Sequence, residues 1–348
     1  MISFICNTTI LVLELIYTLL FCDGDYPVYL CISYEAAEKI CLEREETEEF
    51  IVNMNHCTLC PRMCGADRRA GEKGFCGMDG AVRGARAALH MWEEPCISGE
   101  KGSGAVFFSG CTLRCVFCQN REIANGRYGK EISLQRLTEI FLELQEKGAA
   151  NINLVTASHF AVPVKEALVQ AKKQGLKIPV IYNTGGYERI ETVKFLEPVV
   201  DVWLPDFKYM DSELARKYSK AKDYPQVAKE ALEEMVRHKN RCVFDDEGYI
   251  QSGVVVRHLL LPGHTKDSRK ILSYLHETYG NQIYISIMNQ YTPLPQVKDI
   301  EPLNRKVTPR EYERVLEYAT EIGIEQGYIQ EGETAKESFI PLFDYEGL

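Results

Sequence analysis

From residue 105 to residue 322 the chain alternates short apolar runs with amphipathic stretches, and this alternation restricts its fold more than any other feature. Residues 105–109, 152–156, 178–183, 202–207, 254–261 and 282–288 read as strands. Between them, Leu134, Leu137, Ile140, Phe141 and Leu144 recur at helical spacing, and residues 162–174, 187–196, 212–220, 225–239 and 266–279 read as helices. A last helix is expected over 309–322, opening on a proline where the missing N–H costs nothing. Strands alternating with helices predict βαβ units and a parallel sheet, and strands apolar along their whole length predict burial on both faces. The expected class is α/β, closed as a partial (βα)6 barrel of the TIM type with its chemistry at the C-terminal strand ends. A doubly wound open sheet is the alternative. No Gly-x-Gly-x-x-Gly follows a strand, so the dinucleotide fingerprint is missing from it.

Thirteen cysteines are unevenly placed on this frame. Cys111, Cys115 and Cys118 are spaced C-x3-C-x2-C directly after the first expected strand. Three thiols within eight residues of one loop cannot all be apolar core positions, and disulfides across such short spacings are strained. Clustered soft thiolates suit zinc or an iron–sulfur cluster. An iron–sulfur cluster usually takes four cysteines, so three leave one metal position open, which marks a catalytic site. Upstream, Cys57, Cys60, Cys64 and Cys76 supply a complete four-thiolate set, with glycines after Cys64 and Cys76 permitting tight turns. Zinc and a second iron–sulfur cluster both satisfy that spacing. Cys96 and Cys242 stand alone and read as buried thiols.

Acids outnumber bases by 50 to 40, so no general basic field exists to hold a nucleic-acid backbone, and DNA is not an expected partner. Residues 1–53 hold ten of the acids and two of the bases, with cysteines that match no ligand pattern. Their apolar stretch, 10–22, is thirteen residues long and interrupted by Glu14, short of the roughly 20 residues of a membrane span. No Lys or Arg precedes Lys39, so the basic start of a secretory signal is missing. Residues 1–53 therefore read as an extension ahead of a working start at Met54, with no membrane anchor and a cytoplasmic, reducing location. The remaining organisation is a cysteine-rich metal module over 54–100, a barrel over 101–300 and a C-terminal helical segment over 301–348. Residues 83–96, polar and aromatic together, either line a substrate mouth or join the modules.

C-x3-C-x-aromatic-C after a first strand, with Phe117 at the aromatic position, resembles the signature of the radical S-adenosylmethionine (radical SAM) superfamily. Phe107-Phe108-Ser109-Gly110-Cys111 and Cys118-Gln119-Asn120 are most similar to homologues of the pyruvate formate-lyase activating enzyme, and the resemblance extends over about residues 54–300. It implies a [4Fe-4S] cluster on Cys111, Cys115 and Cys118 with S-adenosylmethionine (SAM) bound to it. It also implies reductive cleavage of SAM to a 5′-deoxyadenosyl radical that abstracts hydrogen from a substrate. A low-potential donor of flavodoxin or ferredoxin type and a protein substrate receiving a glycyl radical come with that reading.

Individual positions can be matched to the family. Asp206-Phe207-Lys208 resembles the Asp-Leu-Lys of activating enzymes at the SAM end. Asn183-Thr184-Gly185-Gly186 resembles the turn after the third strand, Arg257 lies in the fifth strand before Pro262-Gly263, and Asn289 follows the sixth. With Phe117 these are the expected SAM-binding residues, set against a structural salt bridge for Arg257 and an ordinary strand-end pair for Asp206 and Lys208. Where the family carries Gly-Gly-Glu after the second strand, this chain has Thr156-Ala157-Ser158-His159-Phe160. His159 is a candidate acid or base on the substrate side, set against an ordinary hydrogen-bonded histidine. Two other readings stay open: radical chemistry on a small molecule, nucleoside or other macromolecule, and a non-catalytic iron–sulfur or zinc electron-transfer protein.

Overall fold

Every expected strand from 105 to 288 forms, because each is an apolar run bounded by a turn and followed by a helix that covers one of its faces. The computed structural model describes residues 54–330 and 341–348, which fall within the unit Glu45–Leu348. The extension at 1–53 lies outside the described residues. Among the described residues there are ten strands: β1 (Arg83–His90), β2 (Ser103–Phe108), β3 (Lys130–Glu131), β4 (Ile152–Val155), β5 (Val180–Thr184), β6 (Val202–Pro205), β7 (Val243–Phe244), β8 (Ile250–Leu259), β9 (Tyr284–Met288) and β10 (Gly327–Ile329). Seven helices follow in chain order: α1 (Leu134–Glu146), α2 (Ala161–Lys173), α3 (Ile190–Leu196), α4 (Ser212–Ser219), α5 (Tyr224–His238), α6 (Thr265–Tyr279) and α7 (Pro309–Glu321). A single helical turn, Arg121–Ala124, follows the Cys111 loop.

The sheet runs β10-β9-β8-β6-β5-β4-β2-β1-β3, with β7 on β8. Neighbours from β2 through β10 pair in parallel, while β1 is antiparallel to β2. This is the expected partial barrel, lengthened at both edges. Helix starts are chemically marked: Ser133 and Asp211 accept backbone N–H groups ahead of α1 and α4, and Thr308 with Glu311 forms a capping box on α7. The segment 301–348 is only partly helical. Beyond α7 it adds β10, and residues 341–348 return to β1, where the Tyr345 N–H donates to Ala85 and Ala87 donates to the Glu346 carbonyl. Among the described residues no helix is long and apolar enough to cross a membrane.

Alternation along the strands separates two cores. Leu154, Tyr182, Trp203, Val254, Val256 and Ile285 pack in the main cluster with the helices. Their neighbours Ile181, Val202, Leu204 and Val255 form a second cluster, and its remaining buried members include Cys96 and Ile97. On the way from β1 to β2, residues 94–98 therefore enter the inside of the open barrel and plug it, with Glu94, Cys96, Ile97 and Ser98 buried. Ile97 is fully buried, its carbonyl accepts from Asn151 Nδ2 at 2.8 Å, and the Ile250 N–H donates to the Cys96 carbonyl at 2.9 Å. Residues 83–96 are a strand, unannounced because β1 carries polar Arg83, Arg86 and His90 among its alanines, and the start of an interior plug; the mouth expected there is met in part, since His90, Trp92 and Glu93 line the cavity described below.

The 54–82 module is clipped onto the barrel. Arg68, 2 % exposed, donates to the carbonyls of Asp79 and His159. Arg62 donates from Nε to the Thr112 carbonyl at 2.8 Å and from Nη2 to Ser219 at 3.2 Å, with its guanidinium 4.1 Å from the Phe75 ring centre. Gly110 makes this close approach possible. Its φ is +88°, and a Cβ there would meet Met78 Cγ at 2.6 Å and the Cys76 carbonyl at 2.8 Å.

Candidate active site

Because the strands are parallel, their C-terminal ends lie together, and each contributes to one cavity of about 230 Å³. The loop after β2 brings Cys111, Cys115, Phe117 and Cys118. The strand ends bring Thr156 from β4, Asn183 and Thr184 from β5, Asp206 and Lys208 from β6, Arg257 from β8, and Met288 with Gln290 from β9. The plug completes the wall with Trp92 and Glu93.

The cavity floor is a network of ionised groups. Arg257 donates from Nε to Asp206 Oδ1 at 3.0 Å, from Nη1 to Glu93 Oε2 at 3.1 Å, and from Nη2 to Asn183 Oδ1 at 2.5 Å. Lys208 Nζ donates to the other Asp206 oxygen. Glu93 also accepts from Asn153 Nδ2 at 3.1 Å. Burial pushes the Asp206 carboxyl up, but Lys208 and Arg257 outweigh it and hold the group below the usual carboxylate range. Burial works to lower Lys208, and Asp206 reverses that, so the ammonium is held above its ordinary value. Arg257 is raised likewise, Asp206 and Glu93 overcoming its burial. Asp206, Lys208 and Arg257 keep their charges despite burial because each has a partner of opposite sign.

The cysteine loop lies against this floor. Burial pushes the Cys111 thiol up to about 12, with Cys115 adding to the effect, and burial with Cys115 and Cys111 raises Cys118 as well. Cys111 Sγ accepts from the Leu113 N–H at 3.4 Å and Cys115 Sγ from Ser219 Oγ at 3.0 Å. Buried neighbouring thiols that resist ionisation become thiolates when metal charge offsets them. Among the described residues no three Cys, His, Asp or Glu side chains converge closely enough for one metal ion. A four-iron cube does not require that convergence, since each thiolate binds a different iron, and the donor set fits a [4Fe-4S] cluster.

The upstream cysteines form a second group. A Cβ on Gly74 would lie 2.9 Å from Cys64 Sγ and 3.7 Å from Cys76 Sγ. Cys60 and Cys76 are raised by burial, and Cys57 adds to both. The Gly65 N–H donates to the Cys57 carbonyl at 3.0 Å and Met63 to Cys60 at 3.0 Å, closing the turns between ligands. The Cys111 N–H donates to the Cys76 carbonyl at 3.3 Å, so the two cysteine groups share a direct backbone contact.

Of the residues singled out by sequence, Cys111, Cys115, Phe117, Cys118, Asn183, Asp206, Lys208 and Arg257 line the cavity. Asn289 and His159 do not. Asn289 lies one residue off the lining, between Met288 and Gln290, because the strand's alternation turns it away. His159 is 2 % exposed beneath the Cys111 loop, its Nε2 2.6 Å from the Ser109 carbonyl oxygen, and it is a packing histidine. Sequence reasoning placed Glu93 in a candidate mouth segment but did not single it out. The available signal was paired Glu93-Glu94 inside a segment otherwise poor in charge, but no spacing ties it to Arg257.

The buried histidines set an acid limit on stability. Burial holds His159 down to about 3 and His258 down to about 4, so both are neutral when folded. Unfolded histidine titrates near 6.5, so below that pH the unfolded chain takes up protons that the native chain refuses. Stability contributed by these groups is therefore whole above about pH 6.5 and lost on acidification toward 4, at about 1.4 kcal/mol per pH unit for each. Thermal unfolding measured between pH 7.5 and 5 should show Tm falling steadily, and a flat Tm across that range would contradict the neutral assignment.

A partial α/β barrel with three cysteines on one loop over a charged cavity at the C-terminal strand ends defines the class of protein. The sequence model of the radical SAM superfamily matches residues 105–275. The chain belongs to that superfamily and is activating-enzyme-like; it is an enzyme whose cofactors are a [4Fe-4S] cluster and SAM. An uncharacterised protein of Methanocaldococcus jannaschii is 28% identical over 283 residues, covering 78% of this chain and 77% of its own. The pyruvate formate-lyase 1-activating enzyme of Escherichia coli K12 is 30% identical over 120 residues, 31% of this chain and 46% of the enzyme. The crystal structure of Streptococcus suis SuiB bound to S-adenosylmethionine is 13% identical with a TM-score of 0.45, covering 94% of this chain and 61% of SuiB.

Proposed function

We propose that Cys111, Cys115 and Cys118 hold the catalytic cluster and that Asn183, Asp206, Lys208 and Arg257, with Phe117 as an apolar wall, hold SAM beside it. The observation that carries this reading is their convergence on one cavity. When bound and reduced by one electron, cluster and SAM supply methionine and a 5′-deoxyadenosyl radical that takes a hydrogen atom from the substrate. The protein's part is to orient and to exclude quenchers. Lys208 offers a buried cation to the carboxylate of SAM, and the carbonyls around Thr156 offer acceptors to its ammonium in place of the family's Gly-Gly-Glu. Likeness to an activating enzyme supports a polypeptide substrate that receives a glycyl radical, with reduction by a flavodoxin- or ferredoxin-type donor.

The second group, Cys57, Cys60, Cys64 and Cys76, holds its own metal in this reading. Its backbone contact with Cys111 favours a redox-active iron–sulfur cluster over zinc, because an electron needs a short route to the catalytic loop. Anaerobic reconstitution with iron and sulfide, followed by SAM and dithionite, should yield 5′-deoxyadenosine and about eight irons per chain. A fully loaded protein that forms no nucleoside would refute the catalytic reading, and four irons with one zinc would refute the second cluster.

A further inference from the structure

The plug does more than fill the barrel, because it places a carboxylate where no strand can. Glu93 is 10% exposed at its side chain, and its two oxygens accept from Arg257, Asn153 and Asn183. It enters from the sequence before β2, outside the part of the chain matched by the superfamily model. Next to it Glu94 is buried within the barrel, and Cys96 and Ile97 are locked among β5, β6 and β8 residues, so Glu93 cannot swing away.

The ionised side chains lining the cavity are Glu93, Asp206, Lys208 and Arg257, and their charges cancel. His90, also on the lining, is pushed down by burial with Arg86 and Arg257 adding to the effect, and contributes no charge. Without Glu93 the floor would carry one net positive charge, on an arginine that had lost one of its two carboxylates. SAM bears one more positive charge than S-adenosylhomocysteine, the neutral thioether that differs by a methyl group. A buried unit charge a few ångströms from a ligand is screened weakly, so it discriminates between these two molecules.

We propose that Glu93 is the residue that sets the charge of the cavity, pinning Arg257 and Asn183 and selecting the sulfonium cofactor over its thioether. This rests on the assignment of SAM to the cavity made above. The test is equilibrium binding of SAM and of S-adenosylhomocysteine to the cluster-loaded full chain, anaerobic and without reductant so that no turnover occurs. E93Q keeps the shape and removes the charge. It should lower the ratio of SAM to thioether affinity about tenfold, with iron content near wild type. The double variant E93Q/N183D, which returns a carboxylate to Arg257 from the Asn183 side, should restore the ratio, and it decides the matter if E93Q folds poorly. Equal weakening of both ligands in E93Q, a ratio within twofold of wild type in E93Q, or no rescue by the double variant overturns the proposal by reducing Glu93 to scaffold. Failure of the loaded wild type to bind SAM at all overturns the cofactor assignment, and this inference with it.

Discussion

Cys115→Ala is expected to abolish 5′-deoxyadenosine formation, with product falling at least a thousandfold on the order expected when a metal centre is lost. Cys115 is the middle thiol of the loop, held by Ser219 Oγ at 3.0 Å and flanked by Cys111 and Cys118. With three thiolates the cluster has no spare ligand, so no neighbour replaces the missing one. Cys96 is the natural control. Its thiol is buried and pushed up to about 12 by desolvation inside the plug, and it does not line the cavity. Cys96→Ala should therefore keep the nucleoside product. Measuring iron, sulfide and nucleoside on both variants separates loss of the cluster from general damage. Substantial nucleoside from Cys115→Ala would remove the loop from the role assigned to it.

The parts of this protein that could be read from its sequence are those governed by local pattern. Apolar runs bounded by turns located all six barrel strands, and C-x3-C-x2-C located the loop at the mouth. Asp206 and Lys208 were found through their likeness to the Asp-Leu-Lys of activating enzymes, and two residues apart just past β6 both reach the cavity. What stayed hidden depends on tertiary placement. β1 lacks an apolar run, since alternate alanines suffice where it is covered by β2 and the returning C-terminal residues. The plug looked like a linker because its burial comes from entering a barrel whose closure no local signal announces. Asn289 and His159 show the opposite failure. Each has the right residue type near the right strand end, and a shift of one position or a carbonyl partner at Ser109 takes it out of the cavity.

Asp206→Asn should be the most damaging single change on the cavity floor. The carboxylate is shared by Arg257 Nε at 3.0 Å and by Lys208 Nζ, so it is the only described group that bridges both buried cations. Asparagine keeps the size but leaves Lys208 without its anion, and breaking a buried ion pair from one side costs about 3–5 kcal/mol. The expected result is an unfolding free energy lowered by that much and SAM affinity reduced by roughly a hundredfold, or about 2.7 kcal/mol. Lysine would lose its fixed direction and arginine would turn wholly toward Glu93. The pH dependence carries a sign that separates this from simple repacking. Lys208 and Arg257 hold the Asp206 carboxyl below its ordinary value despite burial. Its stabilisation is therefore complete above the unfolded value near 3.9 and lost only as pH falls through the lower native one. The gap between wild type and Asp206→Asn should stay constant from pH 9 to 5 and begin to narrow only below about pH 4. Urea unfolding at pH 7 and at pH 3.5 compares the full gap with the start of its loss, and equal stability of the two proteins at pH 7 would show that the floor is not held by this carboxylate.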